Sequence, residues 1–132
     1  MDAATAALFN KVKGKDAGGS YSWDNQFRQL NEAIAVFGRG NVSTHVIVGL
    51  GETEQEAAEV IQRCVDMTVL PALFAFTPVR GTALERKSPP KLESYRRIQL
   101  ARHLIVTGKT RFENMHKSVS YTHLTLPTIL LV

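Results

Sequence analysis

Apolar residues recur at helical spacing in two long stretches of the chain. The first stretch predicts a helix that begins after the candidate N-cap Ser22 and ends at Gly38, which is placed to act as a left-handed C-cap. Steps of four and three residues separate its apolar positions, so one face is expected to be buried. These positions are Trp23, Phe27, Leu30, Ile34 and Phe37.

The second helical stretch covers residues 91–108 and is expected to stop at Gly108. Its predicted buried face carries Leu92, Tyr95, Ile98, Ala101 and Ile105. Its opposite face, with Arg96, Arg97 and Arg102, is predicted to be solvated. A shorter helix is predicted over residues 2–13, with Leu8, Phe9 and Val12 on one face and Gly14 as its stop, followed by a flexible loop up to residue 20.

Two apolar runs rich in strand-forming residues flank a third helix. Residues 41–50 and 69–76 predict strands, and residues 53–67 predict a helix with Thr53 as N-cap and Glu56 completing a capping box. Strand, helix and strand with short joints form a βαβ unit, whose strands are parallel and whose crossover is expected to be right-handed. The fold class is therefore α/β, with outer helices expected to explain why both strands are apolar on both faces.

Composition limits the function classes. A chain of 132 residues is long enough for one domain or a piece of one, and short for a complete barrel enzyme. The net charge of +4 is scattered and accompanies no nucleic-acid motif, which argues against nucleic-acid binding. The apolar runs predict no membrane span and the first residues no signal peptide, so the cytoplasm is the expected location.

Cysteine usage excludes several kinds of site. Cys64 is the only cysteine, so the chain can form no internal disulfide, thiolate-rich zinc site or iron–sulfur cluster of its own. Its apolar helical neighbours predict a small buried side chain rather than a reactive thiol.

The last residues differ in character from the rest. Residues 118–132 show neither helical nor strict strand periodicity. They resemble the translation of a transposon-type sequencing adapter, and we interpret them as a non-native read-through tail. The alternative is a natural C-terminal strand or tail.

The loops that leave the two strands define the candidate site. "GLGET" follows the first strand and "TPVRGT" the second, and in a parallel sheet such loops meet at one rim. Glu52 lies where a phosphate-binding loop needs positive charge, so the turn is expected to repel pyrophosphate. Gly49 and Gly51 would let a flat group such as a purine approach the backbone. Alternatively, the glycines only make a tight turn and Glu52 stabilises the helix dipole.

The stretch "VIVGLGETEQE" resembles the strand–turn–helix of the radical S-adenosylmethionine superfamily, in the branch similar to biotin synthase and lipoyl synthase. The branch's pattern, Gly-x-Ile-x-Gly-x-x-Glu, falls on Ile47, Gly49 and Glu52, with Gly51 as the second turn glycine. Residues 2–115 as a whole resemble a biotin synthase-related subgroup of unassigned reaction.

The resemblance implies that residues 1–117 are the C-terminal portion of a partial (βα) TIM-type barrel. Intact relatives cleave S-adenosylmethionine at a reduced [4Fe-4S] cluster, with a reductant such as flavodoxin or ferredoxin, to give a 5′-deoxyadenosyl radical that abstracts hydrogen from a small-molecule substrate. Ile47 and Gly49 would flank the adenine, and Glu52 would order the turn beside Gly51 or reach a cofactor hydroxyl. By loop position, the substrate side would hold Thr77, Arg80, Gly81 and Thr82, with Arg80 facing an acidic group of the substrate.

Two features depart from the family pattern. His45 occupies the place of the pattern's first glycine, and the three-cysteine cluster motif is missing, so this chain is expected to bind no metal and to be inactive alone. Two alternatives stay open. The chain could be a non-catalytic α/β module that binds a nucleotide-like ligand or another protein, or part of a non-radical barrel enzyme with His45 as acid or base.

Overall fold

A computed structural model describes residues 1–115; the prediction for residues 118–132 lies outside this range. The elements are α1 (Ala6–Val12), a 3₁₀ turn (Lys15–Ala17), α2 (Trp23–Phe37), β1 (Val42–Val48), α3 (Glu54–Asp66), β2 (Val69–Ala75) and α4 (Leu92–Val106). Residues 112–115 are also helical. None of the helices in this range combines the length and apolar character that crossing a membrane requires.

The α/β class predicted from the sequence is confirmed. β1 and β2 are parallel along their whole length, from Val42 opposite Val69 to Val48 opposite Ala75. Helix α3 connects them and starts with the predicted capping box, in which the Thr53 hydroxyl accepts from the Glu56 amide and the Glu56 carboxylate accepts from the Thr53 amide. The capping box fixes the point where the chain leaves the glycine turn and becomes helical.

One face of the sheet is covered by helices. Alternate residues of β1 are buried, namely Val42, Thr44, Val46 and Val48. The three valines pack with residues of α2, α3 and α4 in two apolar clusters. The period of two is the one expected of a strand with a core on one side. Cys64 lies in this core, where burial raises the pKa of its thiol to about 11, as expected for an inert structural cysteine.

The other face of the sheet is open except at Ile47, which is half-buried against the apolar cluster of Ala3, Phe9 and Leu50. It carries the paired positions Ser43 and Leu70, His45 and Ala72, and Ile47 and Phe74. Leu70 and Phe74 are 46% and 50% exposed. The sequence predicts that helices cover both faces of the sheet. In the described residues, however, α2, α3 and α4 all pack against the same face.

The N-terminal prediction was wrong at its start. Helix α1 begins at Ala6, where the Thr5 hydroxyl accepts from the Leu8 amide. Asp2 instead forms a parallel bridge with Val46: its amide donates to the His45 carbonyl, and its carbonyl accepts from the Ile47 amide. Asp2 thus forms a single isolated bridge beside β1, which covers part of the outer edge of β1.

The predicted helix faces were wrong at their ends. Phe37 and Leu92 were expected to be buried, but they are 66% and 63% exposed. Gly38 ends α2 with φ 91° and ψ 161°, which is not the predicted left-handed helical conformation. The chain enters β1 almost at once, and the Asn41 side chain donates to the Phe37 carbonyl at 2.7 Å in place of a left-handed cap. Gly108, with φ 73°, follows the end of α4 as predicted.

The expectation of a fully solvated arginine face on α4 was also wrong. Arg96 is exposed, but Arg97 forms a bidentate ion pair with Glu54 of α3. Arg102 donates to the carbonyl oxygen of Pro71, on the outer edge of β2. These arginines therefore join α4 to α3 and to the sheet, which helical periodicity alone does not reveal.

Candidate functional site

The glycine turn and the loop after β2 meet at one rim, as expected for a parallel sheet. Val48 and Ala75 are paired at the carboxyl ends of the two strands. The Phe76 amide then donates to the Val48 carbonyl at 2.7 Å and extends the pairing by one residue. Residues 49–52 and the loop of residues 77–90 therefore begin side by side.

Glu52 folds back onto the glycine turn. Both of its carboxylate oxygens lie 3.0 Å from the Gly49 amide nitrogen, and one lies 3.4 Å from that of Leu50. These two amides belong to the turn that precedes α3, and the protein itself supplies the anion that they bind. Glu52 thus orders the turn, which is the first of the two roles considered for it, and its carboxylate occupies the Gly49 and Leu50 amides.

The two turn glycines have different surroundings. A Cβ atom on Gly49, which has φ 108°, would lie 2.8 Å from Cδ of Pro90 and 3.2 Å from Cβ of Phe76. A Cβ atom on Gly51, with φ 126°, would meet only Leu8, at 3.4 Å. The side of Gly49 that the missing Cβ leaves open is therefore filled by the protein's own proline.

A groove of about 530 Å³ lies on the open face of the sheet, below the rim. Its lining is mostly apolar and aromatic, with one carboxylate. The lining residues are Asp2, His45, Ile47, Phe74, Ala75, Phe76 and Thr77. Ligand pockets commonly combine such an apolar wall with a few polar groups, so this groove is the candidate binding site.

Two aromatic rings meet in the groove. His45 and Phe74 have ring centroids 5.0 Å apart and planes inclined at 76°, an edge-to-face contact. His45 is exposed on this face, because β1 alternates and the neighbouring residues 44 and 46 point into the core. The imidazole is therefore accessible to a ligand in the groove.

Asp2 supplies the charged wall of the groove. Burial alone would raise the pKa of its carboxyl group, but the hydrogen bond from Lys13, at 2.8 Å, and the positive charges of the N-terminus and Lys13 together outweigh burial, so the pKa is lowered. Asp2 is therefore a carboxylate at neutral pH and an acceptor for hydroxyl or amine groups.

The structure brings only one of the four predicted substrate-side residues to the groove. Thr77 lines it, whereas Arg80, Gly81 and Thr82 are exposed in the loop. The Gly81 amide donates to the Glu85 carboxylate and the Thr82 hydroxyl to the Val79 carbonyl, so both serve the internal structure of the loop. Within residues 1–115, Arg80 has no ion-pair partner and stays available to an anion.

The described residues form no metal site, and the single cysteine of the sequence cannot hold an iron–sulfur cluster. Among the described residues, no three His, Cys, Asp or Glu side chains come together as metal ligands. Cys64 is buried in the core on the helix-covered face, whereas the groove lies on the other face.

Sequence reasoning missed five residues of this site: Asp2, Phe74, Ala75, Phe76 and Pro90. A signal existed for Phe74, because it shares strand parity with the other open-face positions of β2. Asp2 and Pro90 reach the site only through tertiary contacts with β1 and Gly49, for which the sequence holds no local pattern.

Comparison of the chain with protein-family models, with curated proteins and with solved structures finds no match.

Proposed function

We propose that this chain is the C-terminal portion of a radical S-adenosylmethionine barrel, and that its groove and glycine turn hold the adenosyl part of S-adenosylmethionine. The observation that carries the proposal is the position of Ile47. Ile47 lies in the groove with Phe74 and Phe76, directly before a turn whose amides are already bound to Glu52.

The chemistry of the groove suits a nucleoside better than a nucleotide. Ile47 and the aromatic rings offer apolar surface to a flat base. Asp2 offers a carboxylate to ribose hydroxyls or to a positive centre. Glu52 places a negative charge on the turn beside the groove, which favours a sulfonium nucleoside over a pyrophosphate.

The cluster that intact relatives use does not fit the residues present, so no reaction step is assigned to this chain. Its role is to bind the nucleoside and to shield one side of it from water. The cluster ligands would come from a part of a longer protein outside this sequence. Anaerobic reconstitution with iron and sulfide should therefore leave the full chain without a stable four-iron absorption spectrum, and the appearance of one would contradict this assignment.

Calorimetric titration of the full chain tests the proposed site. S-adenosylhomocysteine and 5′-deoxyadenosine should bind, and ATP should bind at least about tenfold more weakly because its phosphates meet the Glu52 carboxylate. Ile47→Ala should weaken nucleoside binding roughly threefold to tenfold, since about 1 kcal/mol of apolar burial is lost.

Leu70→Ala is the matched control. Leu70 lies on the same open face but is paired with Ser43, at the far end of the sheet from the rim. It should leave nucleoside binding unchanged. Equal affinity for ATP and S-adenosylhomocysteine, or a larger effect of Leu70→Ala than of Ile47→Ala, would reject the proposal.

Two other functions retain specific support. The accessible His45 in the groove favours a non-radical barrel enzyme, in which His45→Ala in an intact homologue would abolish turnover. The exposed Leu70 and Phe74 favour a non-catalytic module that binds a nucleotide-like ligand or another protein through the same face. A radical enzyme would tolerate loss of the imidazole better than an enzyme that uses it as acid or base.

A further inference from the structure

The contact between Gly49 and Pro90 joins two segments that the groove depends on. The Pro90 ring occupies the space beside Gly49 so closely that an added Cβ would stand 2.8 Å from its Cδ atom and 3.2 Å from its Cγ atom. Separations under about 3.0 Å do not occur for real Cβ atoms, so position 49 accepts only glycine while Pro90 is in place.

Phe76 is the third member of this contact and also a wall of the groove. Its Cβ atom lies 3.2 Å from the same Cβ position on Gly49, and its amide is bound to the Val48 carbonyl. Pro90 and Phe76 therefore both pack against Gly49 and fix its position. A shift of Pro90 would let the turn move relative to Phe76 and change the shape of the groove.

The internal structure of the loop of residues 77–90 positions Pro90 against Gly49. Local backbone hydrogen bonds stabilise the loop: the amides of Thr82, Glu85 and Lys87 each donate to a carbonyl three residues earlier, those of Val79, Thr82 and Leu84. Leu84 packs in the apolar cluster formed by Ala3, Phe9 and Leu50, and so gives the loop a second anchor. A proline also has a fixed φ and loses little entropy when it is held in place.

We propose that Pro90 is a positioning residue for the nucleoside subsite: it covers the outer side of Gly49, fixes Phe76 against the glycine turn, and confines the ligand to the groove side. This inference rests on the proposed function for the identity of the ligand. In this proposal, Gly49 is a glycine because it packs against Pro90. The base of the nucleoside contacts the side chains of Ile47, Phe74 and Phe76.

Pro90→Ala, compared with Pro89→Ala, tests the proposal in the full chain. Pro89 is exposed and adjacent, so it controls for loss of a proline in the same loop. Binding of S-adenosylhomocysteine should fall at least about threefold in Pro90→Ala and stay unchanged in Pro89→Ala, because preorganisation of the groove is lost. Pro90→Val, which keeps apolar bulk against Gly49, should restore most of the affinity.

Two measurements decide the positioning role independently of binding. Amide chemical shifts of Gly49 and Phe76 should move in Pro90→Ala and not in Pro89→Ala, and trypsin should cleave after the exposed Arg80 and Arg86 faster in Pro90→Ala. If the wild-type chain binds no nucleoside, the proposed function fails, and the amide shifts alone decide the role of Pro90. Identical shifts, cleavage rates and affinities in Pro90→Ala and Pro89→Ala would overturn it.

Discussion

The carboxylate of Glu52 holds the backbone amide of Gly49, with both oxygens 3.0 Å from the nitrogen. The donor and the acceptor lie three residues apart, so the turn is closed by its own sequence without a ligand. A turn of this kind disfavours anionic ligands before any of them binds, because a carboxylate already occupies the Gly49 and Leu50 amides.

Removal of the Glu52 carboxylate should change both stability and ligand preference. Glu52→Ala leaves the Gly49 and Leu50 amides without their acceptor, which should cost roughly 1–3 kcal/mol in the free energy of unfolding. The exposed amides should then bind inorganic phosphate, so phosphate should raise the melting temperature of the variant and not that of the wild type.

Glu59→Ala is the charge-matched control for this experiment. Glu59 is exposed on the same helix, and within residues 1–115 no ion pair involves it. Phosphate should not raise the melting temperature of Glu59→Ala. If it raised it as much as that of Glu52→Ala, the effect would come from net charge alone, which would contradict the role given to the turn.

Substitution of the two turn glycines should separate backbone strain from packing. Gly49→Ala and Gly51→Ala both force alanine into a positive φ, which costs about 1–3 kcal/mol each. Only Gly49→Ala also collides with Pro90, so it should be the more destabilising of the two in urea unfolding. Adding Pro90→Ala should recover part of the loss at position 49 and none at position 51; equal recovery at both positions would show that Pro90 does not cause the difference.

Stability should fall in acid through the carboxyl groups that have ion-pair partners. Burial alone would raise the pKa of Glu54, but hydrogen bonds from Arg97 and Ser94 outweigh it and lower the pKa below its ordinary value of 4.5. A carboxyl group with a lowered pKa stabilises the folded state fully above its unfolded pKa, and this contribution disappears as the pH falls through the folded value. The free energy of unfolding should therefore decline below about pH 4.5.

Urea unfolding between pH 7 and pH 3 measures this decline. Glu54→Gln should make it shallower, by roughly 1 kcal/mol or less because the pair is partly exposed. Glu59→Gln removes a charge without removing an ion pair. Its free energy of unfolding should therefore decline as steeply with falling pH as that of the wild type. Equal slopes in Glu54→Gln and the wild type would show that Glu54 contributes nothing to acid sensitivity. Asp2 and Asp66 also have lowered pKa values and would retain part of the effect in either variant.

The outer edge of β2 should resist pairing with another chain. Pro71 has no amide hydrogen to offer, its carbonyl accepts from Arg102, and the Leu73 carbonyl accepts from the Tyr95 hydroxyl at 3.4 Å. The double variant Tyr95→Phe and Arg102→Met should therefore self-associate at lower concentration than the wild type in sedimentation experiments. Arg96→Met, on the exposed side of α4, should not. An unchanged association constant in the double variant would mean that these side chains do not protect the edge.

The sequence predicted the order and type of the main elements correctly, because each long helix carries a repeated apolar pattern and both strands are apolar runs rich in strand-forming residues. It failed at the ends of two helices: Phe37 and Leu92 continue the helical pattern, but both are exposed in the described part of the chain. It also failed for Asp2, since a segment of three residues is too short to show a period, and its pairing with Val46 depends on the whole of β1.

For the site, the sequence predicted the rim but not the groove. The glycine turn and the loop of residues 77–90 follow from the order of the elements, because carboxyl ends of parallel strands share one edge. The groove depends on which strand face the helices leave uncovered, and on the reach of Pro90 back to Gly49. Of the loop residues named from position alone, only Thr77 reaches the groove; Arg80 does not line it, so its substrate role stays a prediction.

The bridge between Asp2 and Val46 also bears on how the chain folds. The two residues are far apart in sequence, and α1 and α2 lie between them, so closing this contact costs more chain entropy than forming the β1–α3–β2 unit. We expect residues 1–3 to join the sheet late and to exchange amide hydrogens early, while the amides of β1 that face β2 remain protected. Because Asp2 forms a wall of the groove, the binding surface would be completed only in the final stage of folding.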